Sequence, residues 1–431
     1  MIYTEKDGRL HFDGCDTVSL AKKYGTPLYV YSLTDIQNRI EELRNDFLDK
    51  YSKTRAAYAA KAFSTSAMLK LIQNQGLSVD VVSGGELYTA ISVGFPAERI
   101  EFNGNNKLYE ELLMAIEYGV GRIIVDGMEE LQMIEEICRS TESKAKIMYR
   151  ITPGVNSETH EYITTGKKDS KFGIPLDKDV FYPAVEDAIR SPWVEFFGLH
   201  FHVGSQLFDN QSHMNALNVL LDHVDEIRNR FAYEIREINL GGGFGIRYTH
   251  ESRKPLSYFI DPLMDRIEGH YRDLGLERPM VVIEPGRSIV GEAGMTLYTV
   301  GDIKDIEGVR KYVSVDGGMT DNIRPALYQA DYTGVVANKM GRESKEKVTI
   351  CGKCCESGDI LIRDIEVPET EPGDIFCVHS TGAYGYSMAS NYNKNPIPAV
   401  VFVKDGKDSL VVKRQTYQDM LRNDIVPSWL E

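Results

Sequence analysis

AAYAAK (residues 56–61), SVDVVS (78–83), RIEFNG (99–104), RIIVD (122–126) and KIMYRI (146–151) decide how this chain is read. Each is a short apolar or β-branched run. The runs end at 61, 83, 104, 126 and 151, a spacing of 21 to 25 residues, enough for one strand, one loop and one helix. FFGLHFHV (196–203), EINLGGG (237–243) and MVVIEPGR (280–287) bring the total to eight. The stretches between them carry helical spacing. Across 64–75, Ala67, Met68, Leu71 and Ile72 share a face and Gly76 follows as a stop; 107–118 and 128–139 repeat the pattern. Eight strand–helix units predict an α/β fold, a (β/α)8 TIM-like barrel. An open doubly wound sheet repeats in a similar way. The count of eight favours the barrel, as do the polar or glycine residues closing nearly every run, because strand ends converge on a barrel's mouth.

Working outward, Ser32-x-x-Asp35 resembles a capping box, followed by Ile36, Ile40, Leu43 and Phe47 at helical spacing. Beyond about residue 290 the helical pattern thins. KYVSVDGG, KVTICG, DIFCVHS, AVVFVKDG and DSLVVKRQTY read as short strands separated by turns, a C-terminal antiparallel β domain. The expected division is a barrel over 28–288 and a β domain over 1–27 and 289–431.

The chain has 431 residues, 42% apolar and 26% charged, which excludes wholesale disorder. Lys plus Arg is 49 against 64 Asp plus Glu, a net charge of −15, so nucleic acid and anionic membrane are not expected partners. Its apolar runs fall short of a membrane span, the N-terminus lacks a secretory pattern, and six cysteines make no disulfide framework. A cytoplasmic protein is expected.

Single motifs leave alternatives open. Lys61, at the end of an apolar run, is a Schiff-base candidate or an ordinary surface charge. His200 and His202 face the same way on a strand. They read as core histidines, as a metal pair lacking a third ligand, or as a ring stacked on a cofactor. Gly241, Gly242 and Gly243 suit close approach of backbone to a phosphate, or a plain turn. Glu284 and Arg287 end the last run; a carboxylate there needs a cationic or N–H partner, and the arginine suits a phosphate or carboxylate. Cys351-x-x-Cys354 with Cys377 and His379 spaces poorly for zinc, so no metal is expected.

In this order the motifs resemble one family. YAAKAF, DVVSGGEL, FNGNNK, THEYITTG, DSKFG, HFHVGSQ, LGGGFG, EPGR, DGGMTDNIRPALY, CCESGD and GAYGYSMASNYN span residues 58 to 393. They are similar to those of the pyridoxal-phosphate-dependent basic amino-acid decarboxylases that share the alanine racemase barrel. The resemblance implies pyridoxal 5'-phosphate as cofactor, with Lys61 as its Schiff-base lysine and His202 stacked on its ring. Ser205, Gly241, Gly242, Gly243, Gly286, Arg287 and Tyr384 would hold the phosphate end, and Glu284 would partner the pyridine nitrogen. Arg287, Arg324, Tyr328, Glu356 and Tyr384 would contact substrate. Cys355 would donate the proton, with Lys61 as the other candidate. Cys355 and Glu356 would enter from a second subunit, making a homodimer with shared sites. The implied reaction is decarboxylation of meso-2,6-diaminopimelate to L-lysine; the alternative is a D-ornithine, D-lysine or other basic amino-acid decarboxylase. Phe63 stands where the family commonly has asparagine, and Cys351 and Cys354 are extra cysteines.

Overall fold

The computed structural model describes residues 3–154 and 170–430 and divides into two compact units. THEYITTG (159–166) lies outside the described residues.

The first unit, 39–246 and 252–288, is the barrel. Its strands are β1 (Thr54–Ala59), β2 (Ser78–Val81), β3 (Ile100–Phe102), β4 (Arg122–Val125), β5 (Ala145–Thr152), β6 (Val194–His200), β7 (Glu237–Asn239) and β8 (Met280–Ile283). They pair in parallel in chain order, and β8 closes on β1 through Val281↔Thr54, Val282↔Arg55 and Ile283↔Ala56. All eight runs read from sequence are these strands. Helices Ser66–Asn74, Gly84–Ser92, Tyr109–Tyr118, Met128–Ser140, Lys178–Arg190, Gln211–Phe231 and Leu256–Asp273 link them. Thr65 and Ser83 cap two of these helices, each accepting the N–H three residues on (Met68 and Glu86). Met68, Leu69 and Ile72 then turn inward and are fully buried.

The interior of the barrel is polar at its floor. Arg55 Nη2 meets Glu101 Oε1 at 2.6 Å and Glu237 Oε1 at 2.5 Å, and Arg122 Nη2 meets Glu237 Oε2 at 2.7 Å. These four residues sit first or second on β1, β3, β4 and β7. Burying such charges requires pairing of this kind. Burial pushes the Glu101 carboxyl up to about 7, with Glu237 and Glu284 adding to the rise and Arg55 opposing it.

The second unit takes in 1–38, 247–251 and 289–431. Its main sheet runs Ile360–Val367, Glu346–Cys351, Arg310–Val315, Gly294–Ile306, Leu28–Ser32, Ala399–Lys404, Lys407–Val412, with Ile375–Val378 also pairing with Gly294–Ile306 and Gly334–Val336 pairing in turn with Ile375–Val378. Pairing is antiparallel except at two places. Arg310–Val315 runs parallel to Glu346–Cys351, and Ala399–Lys404 parallel to Leu28–Ser32. The expected antiparallel β domain is present, with these two parallel pairs inside it.

The barrel's edge also moves. Leu28–Ser32, expected inside the barrel domain, pairs with Gly294–Leu297 on one side and Ala399–Val403 on the other, and all five residues are buried. A strand with two paired edges belongs to the sheet that satisfies them, so residues 28–38 join the β unit. The expected helix start holds: Ser32 Oγ accepts the Asp35 N–H at 3.0 Å, and Ile36, Ile40, Leu43 and Phe47 are buried. The N-terminal strands Tyr3–Lys6, Arg9–Phe12 and Cys15–Asp16 form their own small sheet. Leu10 and Phe12 enter the core of Leu28, Val30, Met295, Leu297 and Val401.

Candidate active site

In the barrel unit the site is built on strand ends. Lys61 lies in the one-turn 3-10 segment Ala60–Ala62 that follows β1. His200 is the last residue of β6 and Asn239 the last of β7. Glu284 follows β8 directly.

Glu284 is 6% exposed and accepts three hydrogen bonds. Asn103 Nδ2 and Asn239 Nδ2 donate to its Oε1 at 3.2 and 2.9 Å; His200 Nε2 lies 3.1 Å from its Oε2. Burial alone would raise this carboxyl. His200, Lys61 and His202 outweigh burial and hold it well below the usual carboxylate range. Glu284 therefore carries a negative charge in a desolvated site. The neighbouring Asp80 goes the opposite way, raised by burial and by the charge on Glu284, while Asn103 Nδ2 donates to it at 2.6 Å. The two carboxyls are pushed in opposite directions.

His202 is held well below its ordinary value by burial, then by Lys61 and Arg150. Its Nδ1 accepts the Gly242 N–H at 3.3 Å. The glycine run is shaped by crowding. Gly241 has φ +66°, and a Cβ on Gly242 would sit 2.2 Å from the Glu284 carbonyl oxygen. The Gly241 N–H is taken by Asn239 Oδ1 at 2.9 Å, whereas the Gly243 N–H has no protein acceptor among the described residues. Arg287 Nε and Nη2 both donate to Ser205 Oγ, at 3.1 and 3.0 Å. Gly286 lies against Ala59 and Ala62, on the turn that carries Lys61.

The remaining expected site residues, Arg324, Tyr328, Cys355, Glu356 and Tyr384, lie in loops and a short helix of the β unit. Arg324 is buried and donates to Tyr332 Oη at 2.5 Å; its guanidinium carbon lies 4.8 Å from the Tyr248 ring centre and 6.0 Å from that of Tyr328. Three loops are tied together here. Asp359 accepts the N–H groups of Met319 and Cys354 at 2.6 and 2.8 Å, and Lys353 N–H meets Gly317 O at 2.9 Å. Cys355 N–H donates to Asn393 Oδ1, and Ser390 N–H to Thr320 O. Cys355 and Glu356 are exposed, on the outer turn of this knot. Tyr384 and Asn393 hold φ of +61° and +53°, a strained conformation that collects at functional segments.

Sequence reasoning left out Asn103, Asn239 and Asp80, and read His200 as a core, metal or ring-stacking residue, not as a partner of Glu284. The signal for His200 was present: two-residue spacing from His202 put both rings on one face, and the same mouth had to supply a partner for Glu284. The asparagines carried no comparable signal.

The family described as pyridoxal-dependent decarboxylase, pyridoxal binding domain, matches residues 33–291. The diaminopimelate decarboxylase of Bacillus subtilis is 50% identical over 420 residues, covering 97% of this chain and 95% of its own. That of Staphylococcus aureus is 41% identical, covering 97% and 98%. The crystal structure of the M. jannaschii diaminopimelate decarboxylase in complex with L-lysine superposes with a TM-score of 0.93 at 37% identity, over 100% of this chain and 99% of that one. With a charged carboxylate, a glycine turn and a lysine gathered at one barrel mouth, the chain belongs to the diaminopimelate decarboxylase family of pyridoxal-phosphate-dependent decarboxylases.

Proposed function

We propose that this chain removes CO2 from meso-2,6-diaminopimelate to give L-lysine, the last step of lysine biosynthesis. The observation that carries the reading is Glu284, a buried carboxylate kept ionised by His200, Lys61 and His202 and fixed by two asparagines. A group with a cationic ring nitrogen at one end and a phosphate at the other fits this cradle. Glu284 would meet the ring nitrogen, and the Gly243 N–H, Ser205 and Arg287 would meet the phosphate.

Pyridoxal phosphate, when bound, supplies the electron sink that accepts the electrons of the broken C–C bond. The chain does the rest. Glu284 would keep a proton on the ring nitrogen. Lys61 would hold the cofactor, and His202 would pack on its ring. Gly241, Gly242, Gly243, Gly286 and Tyr384 would complete the phosphate end. Arg324, with Arg287, suits the distal carboxylate by bidentate contact, Glu356 suits the distal ammonium, and Tyr328 and Tyr384 close on the substrate. Cys355 or Lys61 returns a proton to the carbon that lost CO2. The three tyrosines around Arg324 hold its guanidinium in one place, which favours a substrate with a distal carboxylate over D-lysine or D-ornithine.

We infer further that two copies share their sites, with Cys355 and Glu356 serving the partner's barrel. Their exposure on a rigid turn supports this reading.

The test is CO2 release from meso-diaminopimelate, D-lysine and D-ornithine, with and without added pyridoxal phosphate. Cofactor-dependent turnover of diaminopimelate alone is expected; turnover of the other two instead would overturn the substrate. Mixing Lys61→Ala with Cys355→Ala protein should restore about a quarter of wild-type activity, because a mixed dimer has one intact site of two. No recovery would refute shared sites.

A further inference from the structure

Asn239 is fully buried and uses its amide in both directions. Its Nδ2 donates to Glu284 Oε1 at 2.9 Å and to Glu101 Oε2 at 3.0 Å, while its Oδ1 accepts the Gly241 N–H at 2.9 Å. The orientation is fixed by these neighbours. A flipped amide would set Oδ1 against two carboxylate oxygens and Nδ2 against an N–H. Glu101 is itself clamped by Arg55 through Nε at 3.0 Å and Nη2 at 2.6 Å, so the amide leans on a rigid support. A second link runs beside it, where Glu284 N–H donates to Gly241 O at 2.8 Å.

We propose that Asn239 is a positioning residue that locks the Glu284 carboxylate and the start of the glycine turn into one frame. It thereby sets both ends of the pyridoxal phosphate cradle together. The inference rests on the cofactor-binding reading above and adds what couples its two ends. Only a side chain carrying two N–H donors and an adjacent acceptor meets this demand at this length. Aspartate keeps the shape and loses both donors. It would also add a third carboxyl beside Glu284 and Glu101.

The test uses the full chain and three variants: Asn239→Asp, Asn239→Ser and Glu101→Gln. Serine is included because it adds no charge if the aspartate variant does not fold. Glu101→Gln weakens the support one step further from the cofactor and shows how much of any effect comes through that support. Three quantities are read: the Kd for pyridoxal phosphate, the competition of inorganic phosphate against it, and the pH at which the visible band of the bound cofactor changes. Losing donors to a charged group should raise the cofactor Kd about tenfold or more in both Asn239 variants. Phosphate competition should weaken alongside, and the pH of the band change should move. Glu101→Gln should lower Tm and move the three readouts less than either Asn239 variant does. Asn239 variants with wild-type Kd and an unmoved band would overturn the proposal, as would Glu101→Gln shifting them equally. A wild-type chain that bound no pyridoxal phosphate would overturn the cofactor reading itself and this inference with it.

Discussion

Replacing Glu284 with glutamine keeps the volume of the side chain and changes what it can accept. Three donors converge on the carboxylate, from Asn103, Asn239 and His200. A carboxamide has one acceptor oxygen. Its least costly placement keeps that oxygen on the two asparagines and turns its own N–H2 toward His200. The imidazole then has to accept at Nε2 and carry its proton on Nδ1, an atom with no partner among the described residues. One charge-assisted hydrogen bond is lost, about 1.5–3 kcal/mol, partly offset because a buried charge goes too. In the loaded enzyme the loss is larger. Removing one member of a buried ion pair costs about 3–5 kcal/mol. If that pairing is realised in the transition state, kcat should fall roughly 150- to 5000-fold, at about 1.4 kcal/mol per tenfold. The assay is single-substrate CO2 release at matched cofactor occupancy, with Tm of the cofactor-free protein alongside. A kcat within fivefold of wild type (under about 1 kcal/mol) would refute the claim that the charge on Glu284 matters.

Three further outcomes are expected. Alkylation at neutral pH should label Cys355 before Cys351 and Cys354, because burial pushes the Cys354 thiol up to about 11 and raises Cys351 as well; peptide mapping showing Cys354 first would contradict this. His379 is lowered from 6.5 to about 4 by burial and then by Arg247, so the unfolded chain takes up a proton below pH 6.5 that the folded chain refuses. Stability therefore drains away between pH 6.5 and 4, by about 3 kcal/mol. His379→Phe, which keeps the stacking on Tyr3, should gain Tm over wild type as pH falls through that window; a constant difference would count against it. Gly242→Ala sets a methyl against the Glu284 carbonyl and should lower both Tm and cofactor affinity, while unchanged values of both would show that the turn yields freely.

Much of the barrel was legible because nearly every strand is a short apolar run closed by a polar residue or a glycine: Lys61, Ser83, Gly104, Asp126, Glu284. The β unit was harder to read. Leu28–Ser32 is as apolar as a barrel strand, and nothing within five residues says which sheet will satisfy its edges; its partners lie more than 260 residues away. The long strand Gly294–Ile306 escaped notice because its first half is buried and its second half exposed, which erases any one period. At the site, residues bearing a distinctive group, such as Lys61, Glu284 and the glycine run, could be picked out. Asn103 and Asn239 could not, since an amide's importance lies in what it bridges. Arg55, Glu101, Arg122 and Glu237 did leave a mark that went unused: a charge in the first two positions of four otherwise apolar strands.

That floor has a consequence for inheritance. Its two arginines and two glutamates are neighbours through Glu237, which touches both cations. A lone change at any of the four strands a charge away from water, whereas exchanging partners together does not. Substitutions that drift independently elsewhere in the molecule must here arrive in company, so across descendants these positions should vary as a set or stay as they are.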